Sequence, residues 1–261
     1  MEGTFVAIGD SFTEGLDDPY PDGSHRGWAD RFAEMAAAHN PDFRYANLAI
    51  RGRLLGEVIE EQMPEAIAMR PDLVSIAAGG NDLLRPGSDP DKLAAQFEDA
   101  VERLQEAGCR VLMFTGFDPI VFPFIRLVRG RAAAYNMHLR AIADSRGCDL
   151  VDMWAMRILR DRRAWSADRL HLTPQAHHRV ALRACEVLGV PVAEDWRAPY
   201  PSPAPLPEWL SARREDLDWV RAYAWPWIQR RLARTSSGAD RAAKRPELLP
   251  VTSLGAATQQ P

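Results

Sequence analysis

The stretch TFVAIGDSFT, residues 4–13, places a glycine, an aspartate and a serine directly after a short apolar run. A short run that is apolar throughout is typical of a strand buried on both faces of a parallel sheet. The serine would then open the following helix at the carboxyl edge of the sheet. Ligands of open α/β sheets bind at that edge, so this stretch predicts a fold class and a candidate site together.

Four more apolar runs occur along the chain, and segments with helical spacing of apolar residues separate them. One such segment places Trp28, Phe32 and Ala36 on one helical face. Alternation of strands and helices predicts an α/β fold, a three-layer α/β/α sandwich with a mostly parallel five-stranded sheet. The four runs are residues 44–50, 73–78, 110–115 and 149–151.

The composition is that of an ordinary globular protein. The chain has 261 residues, 46% hydrophobic and 26% charged, with a formal net charge of −4. Without a basic excess, we expect neither a nucleic acid nor an anionic membrane as a partner. Cys109, Cys148 and Cys185 lie far apart and form no metal-ligand or disulfide pattern. We therefore expect free thiols, no bound metal and no cofactor.

Shifts in composition divide the chain into three regions. Residues 1–195 carry the alternating pattern of the main domain. Residues 196–234 contain a proline-rich connector and a tryptophan-rich helical segment. For that segment, packing on the domain or on a second subunit is favoured over contact with a membrane surface. Residues 235–261 are polar and aperiodic, and we expect a disordered tail there.

The N-terminal residues do not have the pattern of a signal peptide, because the first predicted strand begins almost immediately. The apolar runs are also far shorter than the about 20 residues that span a bilayer. A cytoplasmic location is the expectation that follows.

Three polar residues stand out at positions that suit chemistry. Ser11 lies where a helix N-terminus offers free N–H groups and positive potential, although it also fits a simple helix cap. Asp168 and His171 are three residues apart, so the carboxylate can hold one imidazole nitrogen while the other faces a nucleophile. The competing interpretation is a surface loop with an incidental histidine.

Two further positions follow strand ends. Gly52 comes after the second run, where a glycine lets a ligand approach the backbone closely. Asn81 comes after the third run, where its side-chain amide can donate a hydrogen bond into a cleft. Each also fits an ordinary turn. His177 and His178 lie on the last predicted helix without partner carboxylates, and no metal site is expected there.

Taken together, these positions resemble the four motif blocks of the SGNH hydrolases, also called the GDSL lipase/esterase family. The blocks follow in the order serine, glycine, asparagine and aspartate/histidine, and the resemblance spans residues 4–190. It implies a flavodoxin-like strand order, second-first-third-fourth-fifth. Phe12 stands where the family usually has leucine, and we expect it to pack inward.

The resemblance also implies a role for each matching residue. Ser11 would be the nucleophile, His171 the general base and then acid, and Asp168 the residue that orients the imidazole. The oxyanion hole would consist of the backbone N–H groups of Ser11 and Gly52 and the side-chain amide of Asn81.

The predicted activity is hydrolysis of a carboxylic ester, with small acyl or acetyl esters as the expected substrates. Thioesterase, lysophospholipase and acyltransferase activities stay open, as does a non-catalytic scaffold that uses the C-terminal extension. The long apolar connection at residues 116–128 either lines an acyl pocket or packs on neighbouring helices. Its candidate substrate-binding residues are Phe117, Ile120 and Phe122.

Overall fold

A six-stranded sheet lies at the centre of the computed structural model, which describes residues 3–121, 125–201, 238 and 241–251. The strands are β1 (Thr4–Gly9), β2 (Arg44–Asn47), β3 (Leu73–Ala77), β4 (Arg110–Phe114), β5 (Asp149–Val151) and β6 (Arg245–Pro250). Their order is β5-β4-β3-β1-β2-β6, in which β1 to β5 are parallel and β6 is antiparallel to β2. The predicted fold class and strand order are confirmed, with one strand more than predicted.

Helices cover both faces of the sheet. The α-helices are α1 (Ser11–Glu14), α2 (Gly27–Ala37), α3 (Leu55–Glu57), α4 (Met63–Ala68), α5 (Gly80–Leu83), α6 (Pro90–Glu106), α7 (Arg129–Arg146) and α8 (Pro174–Leu188). A π-helical segment, Val58–Gln62, joins α3 to α4. The 3₁₀ helices are Pro119–Val121, Ile125–Val128, Arg157–Arg160 and Arg162–Ala164.

The position of β1 in the sheet explains why its sequence is apolar throughout. Successive side chains of a strand point to opposite faces of the sheet. Phe5 and Ala7 face a core that contains residues of α2 and α8, whereas Val6 and Ile8 face a second core formed with α3, α4, α6 and α7. Both faces of β1 are therefore buried, as is typical of open parallel sheets, in which ligands bind at the carboxyl ends of the strands.

The prediction of a disordered tail over residues 235–261 is wrong at Arg245–Pro250, which form β6. The Arg245 side chain is buried and donates hydrogen bonds to the backbone oxygens of Tyr45 and Pro250, both at 2.8 Å. The new strand covers the edge that β2 would otherwise expose. Its partner strand β2 lies about two hundred residues earlier in the chain, so no local sequence pattern indicates the pairing.

Several other predictions fall on particular parts of the chain. The tryptophan-rich segment at residues 209–227 lies outside the described residues, as do residues 235–237, 239–240 and 252–261 of the predicted tail. Cys109 and Cys185 are buried, Cys148 is half-buried, and all three are free thiols. Among the described helices, none has both the length and the apolar character needed to cross a bilayer.

Candidate active site

Ser11, His171 and Asp168 lie in a hydrogen-bonded series at the carboxyl edge of the sheet. Ser11 Oγ is 3.0 Å from His171 Nε2, and His171 Nδ1 is 2.5 Å from Asp168 Oδ2. The structure thus brings together three residues that the sequence predicted to meet. A serine hydroxyl with a base in reach, and a base oriented by a carboxylate, is the arrangement that activates a nucleophile.

The spacing of Asp168 and His171 is explained by a turn wound around the carboxylate. Asp168 Oδ1 accepts the N–H groups of Leu170 at 2.9 Å and His171 at 3.0 Å. The hydroxyl of Ser166 lies 2.7 Å from the same oxygen. Asp168 Oδ2 is left to face the imidazole, and Arg169 has a φ of 58° that closes the turn.

The two members of this pair shift each other's pKa. Burial alone would raise the pKa of Asp168, but the hydrogen bond and charge of His171 outweigh burial and hold that pKa well below its usual range. Burial would lower the pKa of His171, but Asp168, followed by Asp17 and Asp10, raises it above its ordinary value. Asp168 is therefore ionised at neutral pH, and His171 is a stronger base than a free imidazole.

The backbone before Ser11 needs a glycine. Gly9 has a φ of +150°, and a Cβ there would lie 2.4 Å from the carbonyl oxygen of Ala77 on the neighbouring strand. Asp10 caps α1 by accepting the N–H of Phe12 at 3.1 Å. Phe12 packs inward as predicted, with its ring stacked on Trp28 at 5.7 Å.

A buried glutamine also holds this strand end. Gln62 Oε1 accepts the N–H of Gly9 at 2.8 Å, and Gln62 Nε2 donates to the Gly9 carbonyl at 2.9 Å. Gln62 ends the π-helical segment, a rare conformation that is frequent at functional sites. Sequence reasoning missed this residue, although a polar side chain between Val58 and Met63 on an apolar helical face is a usable signal.

Gly52 follows β2, the strand next to β1, and an ion pair joins its segment to the turn that contains Ser11. Glu14, on α1, accepts the backbone N–H of Arg51 at 2.7 Å and pairs with its guanidinium, with Nε 2.9 Å from Oε1. Gly52 itself has a φ of +77°, which favours glycine. The Glu14–Arg51 pair was not foreseen, because nothing in either residue's local sequence marks it.

Asn81 lies in the first turn of α5, close to the capping aspartate of α1. Its Nδ2 is 3.2 Å from Asp10 Oδ2 and 3.0 Å from the carbonyl oxygen of Arg53. Asp10 is buried, and burial raises its pKa to about 6. The donor role of Asn81 toward an oxyanion stays a prediction.

The site opens into a cavity of about 590 Å³. Of the predicted substrate-binding residues, Phe117 lines it and packs on Trp165 at 4.2 Å between ring centroids. Ile120 does not line it, contrary to the prediction. It is 44% exposed, because the tight 3₁₀ turn directs Pro119 toward the cavity and Ile120 away from it. Phe122 lies outside the described residues.

Two other sets of titratable groups lie near the site: a cluster that adds Asp17 to Asp168 and His171, and the buried His177. Ligand atoms of Asp17, Asp168 and His171 lie within 4.8 Å of one another, a grouping that contains the Asp168–His171 hydrogen bond itself. His177 is buried, accepts the N–H of Trp28 at 3.2 Å and donates to the Leu16 carbonyl at 3.1 Å. Burial lowers its pKa to about 4, so it is a neutral structural residue at pH 7.

A three-layer α/β/α domain with these side chains at the carboxyl edge of its sheet has the architecture of a hydrolase. The chain belongs to the GDSL-like lipase/acylhydrolase family, whose family model matches residues 7–179. The family predicted from the four motif blocks is therefore confirmed. No curated protein sequence is significantly similar to this chain.

Solved structures with the same fold include several esterases. A variant of an acetyl xylan esterase from Geobacillus stearothermophilus is 21% identical, with a TM-score of 0.62, covering 74% of this chain and 97% of that one. An alpha/beta hydrolase from the metagenome of Lake Arreo, Spain, is 21% identical, with a TM-score of 0.61 and coverage of 72% and 95%. A psychrotrophic esterase from Pseudoalteromonas sp. is 18% identical, with a TM-score of 0.58 and coverage of 72% and 97%. At these identities the likeness establishes the fold.

Proposed function

We propose that the protein is a serine esterase that cleaves a carboxylic ester through an acyl-enzyme on Ser11. The observation that carries this proposal is the series of contacts from Ser11 Oγ through His171 to Asp168, at 3.0 and 2.5 Å, beside a cavity that admits a substrate. A hydroxyl becomes an effective nucleophile when a positioned base removes its proton, and these contacts supply that base.

In the first half-reaction, Ser11 Oγ attacks the ester carbonyl carbon and its proton passes to His171 Nε2. Asp168, held ionised, stabilises the imidazolium that forms. Negative charge on the carbonyl oxygen would be met by the N–H groups of Ser11 and Gly52 and by the Asn81 amide. His171 then gives its proton to the leaving alcohol as the C–O bond breaks, which leaves the acyl group on Ser11.

In the second half-reaction, water attacks the acyl-enzyme. His171 removes a proton from the water, and a second tetrahedral oxyanion forms in the same place as the first. Return of that proton to Ser11 Oγ accompanies cleavage of the serine ester bond. The carboxylic acid leaves and the free hydroxyl is restored.

The cavity extends the expected substrate range beyond acetyl esters. A volume of about 590 Å³ exceeds what an acetyl group fills, and much of the wall is apolar. We therefore expect an ester with an apolar group of several carbons on one side. Residues of this apolar wall are Phe114, Phe117, Ile125, Val128, Leu159 and Trp165.

Structures of the related acetyl xylan esterase add support. Three of them are described as catalytic mutants, in which a serine, an aspartate or a histidine is replaced by alanine. The aspartate and histidine in question are three residues apart, as Asp168 and His171 are. Thioesterase, lysophospholipase and acyltransferase activities use the same machinery, so a substrate panel has to separate them.

The test combines labelling with turnover. Wild-type protein should react with a fluorophosphonate probe and hydrolyse p-nitrophenyl esters, faster for butyrate or hexanoate than for acetate. Ser11→Ala should lose both properties. Ser145→Ala is the matched control, since Ser145 Oγ bonds only its own helix through Ile142 O in the described part of the chain. Labelling that persists in Ser11→Ala, or wild-type protein that neither labels nor turns over any ester or thioester, would overturn the proposal.

A further inference from the structure

A second carboxylate approaches the imidazole of His171 from a different part of the chain. Asp17 Oδ2 lies 3.9 Å from His171 Nδ1, the nitrogen that Asp168 Oδ2 contacts at 2.5 Å. Asp17 belongs to the connection that follows α1, so it comes from the same segment as the nucleophile. Its side chain is 42% exposed, whereas that of His171 is 22% exposed.

Ser166 joins this carboxylate to the Asp168–His171 pair. Ser166 Oγ lies 2.5 Å from Asp17 Oδ2 and 2.7 Å from Asp168 Oδ1. The Ser166 backbone N–H donates to the carbonyl oxygen of His171 at 2.9 Å, which fixes the hydroxyl relative to the histidine. The two carboxylates and the imidazole therefore form one connected polar group.

The position of Asp17 is fixed on both sides. Before it, the Leu16 carbonyl accepts the hydrogen bond from His177. After it, the buried carboxylate of Asp18 pairs with Arg31 at 2.6 Å and accepts the N–H of Gly27 at 3.1 Å. Asp17 itself has a φ of +64°, a left-handed conformation that is uncommon outside glycine but tolerated by aspartate and asparagine.

We propose that Asp17 is a positioning residue that acts through Ser166 and His171, stabilising the imidazolium and supplying part of the missing charge when Asp168 is replaced by a neutral residue. The inference rests on the proposed esterase function. The carboxylates that face the His171 ring are those of Asp168, Asp17 and Asp10, the last from the turn before the nucleophile. Asp168 dominates by contact, and Asp17 adds a longer-range, partly screened attraction.

The first test replaces Asp17 by asparagine, which keeps the size of the side chain and tolerates the left-handed backbone. The matched control is Asp22→Asn, on the same connection, where the carboxylate bonds the hydroxyl of Ser24 at 2.6 Å. Two quantities are measured: the acid-side inflection of kcat/KM against pH, and the pKa of His171 from NMR of the ring in the unliganded protein.

Asp17→Asn should lower both the inflection and the NMR pKa, because a negative charge that favours the imidazolium is lost. The accompanying fall in kcat/KM at the plateau should be about two- to fivefold, as expected for a partly exposed ion pair. Asp22→Asn should leave both pH readouts at the wild-type value. A His171 pKa in Asp17→Asn equal to that in Asp22→Asn overturns the proposal.

The second test is a double-mutant cycle with Asp168→Asn. If Asp17 compensates for a neutral Asp168, adding Asp17→Asn should reduce the residual kcat by a larger factor than it does in the wild-type background. Equal factors in the two backgrounds would show that no compensation occurs. Ser11→Ala separates this outcome from failure of the esterase proposal itself, since residual turnover in that variant would mean that the chemistry lies elsewhere.

Discussion

The carboxyl edge and one lateral edge of the sheet are both formed by segments far apart in the chain, but different kinds of contact join those segments. At the carboxyl edge, where β1, β2 and β3 end, the turn that contains Ser11 meets a loop 160 residues later through the contact of Ser11 with His171. At the lateral edge, β6 pairs with β2 after a separation of similar size. The first meeting was predictable because its chemistry demands particular side chains. The second was not, because strand pairing uses backbone groups that every residue carries.

The largest effect on activity is expected from a substitution at the carboxyl edge. His171→Ala removes the proposed base and should lower kcat by several orders of magnitude, since the serine hydroxyl would then keep its proton. The midpoint of thermal unfolding should change little, because the ring is partly exposed at the cavity. His178→Ala, whose ring contacts Glu194 on the surface, is the control for replacing a histidine. A kcat within tenfold of wild type would remove His171 from the mechanism.

A second change at the carboxyl edge should cost less. Asn81→Ala deletes one of the three proposed donors to the developing oxyanion, and the typical loss for one such donor is about 10²–10³ in kcat. KM for a p-nitrophenyl ester should stay near the wild-type value, because the donor acts mainly in the transition state. Asn40→Ala, in the turn after α2, is the control. A loss confined to KM would assign Asn81 to substrate binding.

A substitution at the lateral edge should lower the free energy of unfolding and leave kcat near the wild-type value. Lys244, next to β6, lies 2.8 Å from Asp30 Oδ1 and donates to the carbonyl oxygens of His25 and Arg26. Asp30 is buried, so Lys244→Ala leaves a carboxylate without its cation. Breaking such a pair costs about 3 kcal/mol or more.

Urea unfolding provides the measurement, with Lys92→Ala as the control. Lys92 is 85% exposed and contacts Asp89 at 3.6 Å, so its loss should be nearly silent. Equal unfolding midpoints for the two lysine variants would show that the Lys244–Asp30 pair contributes nothing to the stability of the domain.

The same distinction explains what the sequence could and could not predict. Strands β1, β3 and β4 were predictable because their runs are apolar enough to be buried on both faces, as Val6 and Ala7 of β1 show. Strands β2 and β5 carried the weaker and shorter runs. Ser11, Gly52 and Asn81 were predictable because each follows a strand end. Strand β6 carries Pro246 and Pro250, residues that argue against a strand unless an edge position is known beforehand.

Other misses came from contacts between distant segments. Gln62 bonds the backbone of Gly9 only because a π-helical segment turns its amide toward β1. Glu14 and Arg51 pair because two strand ends are neighbours in space. The long apolar connection at residues 116–128 predicts a pocket wall that includes Ile120, whereas the turn that contains Ile120 decides which side chains face the cavity. Periodicity and residue type carry no such directional information.

The smallest expected effect concerns two histidines near the carboxyl edge, whose pKa values are shifted in opposite directions. His177 has a folded-state pKa of about 4, below the ordinary value of 6.5, because it is buried. Between those values the unfolded state binds more protons, so stability falls as pH decreases from 6.5 toward 4. His171 has a raised pKa, so its contribution is present below pH 6.5 and is lost as pH rises through its folded value. The two pH windows are therefore separate.

Wild-type protein should lose about 1 kcal/mol more of its unfolding free energy between pH 6.5 and 5.5 than His177→Gln does, from the protonation of one histidine in the unfolded state. Urea unfolding at the two pH values measures the difference. NMR of the wild-type ring gives an independent check, because His177 should keep the signals of neutral imidazole at pH 5.5 while His171 is already protonated. A His177 titration midpoint at or above 6.5 would contradict its assignment as a buried structural residue. It would then be a second titrating histidine beside the turn that contains Ser11, since its ring packs on Phe12 at 6.3 Å.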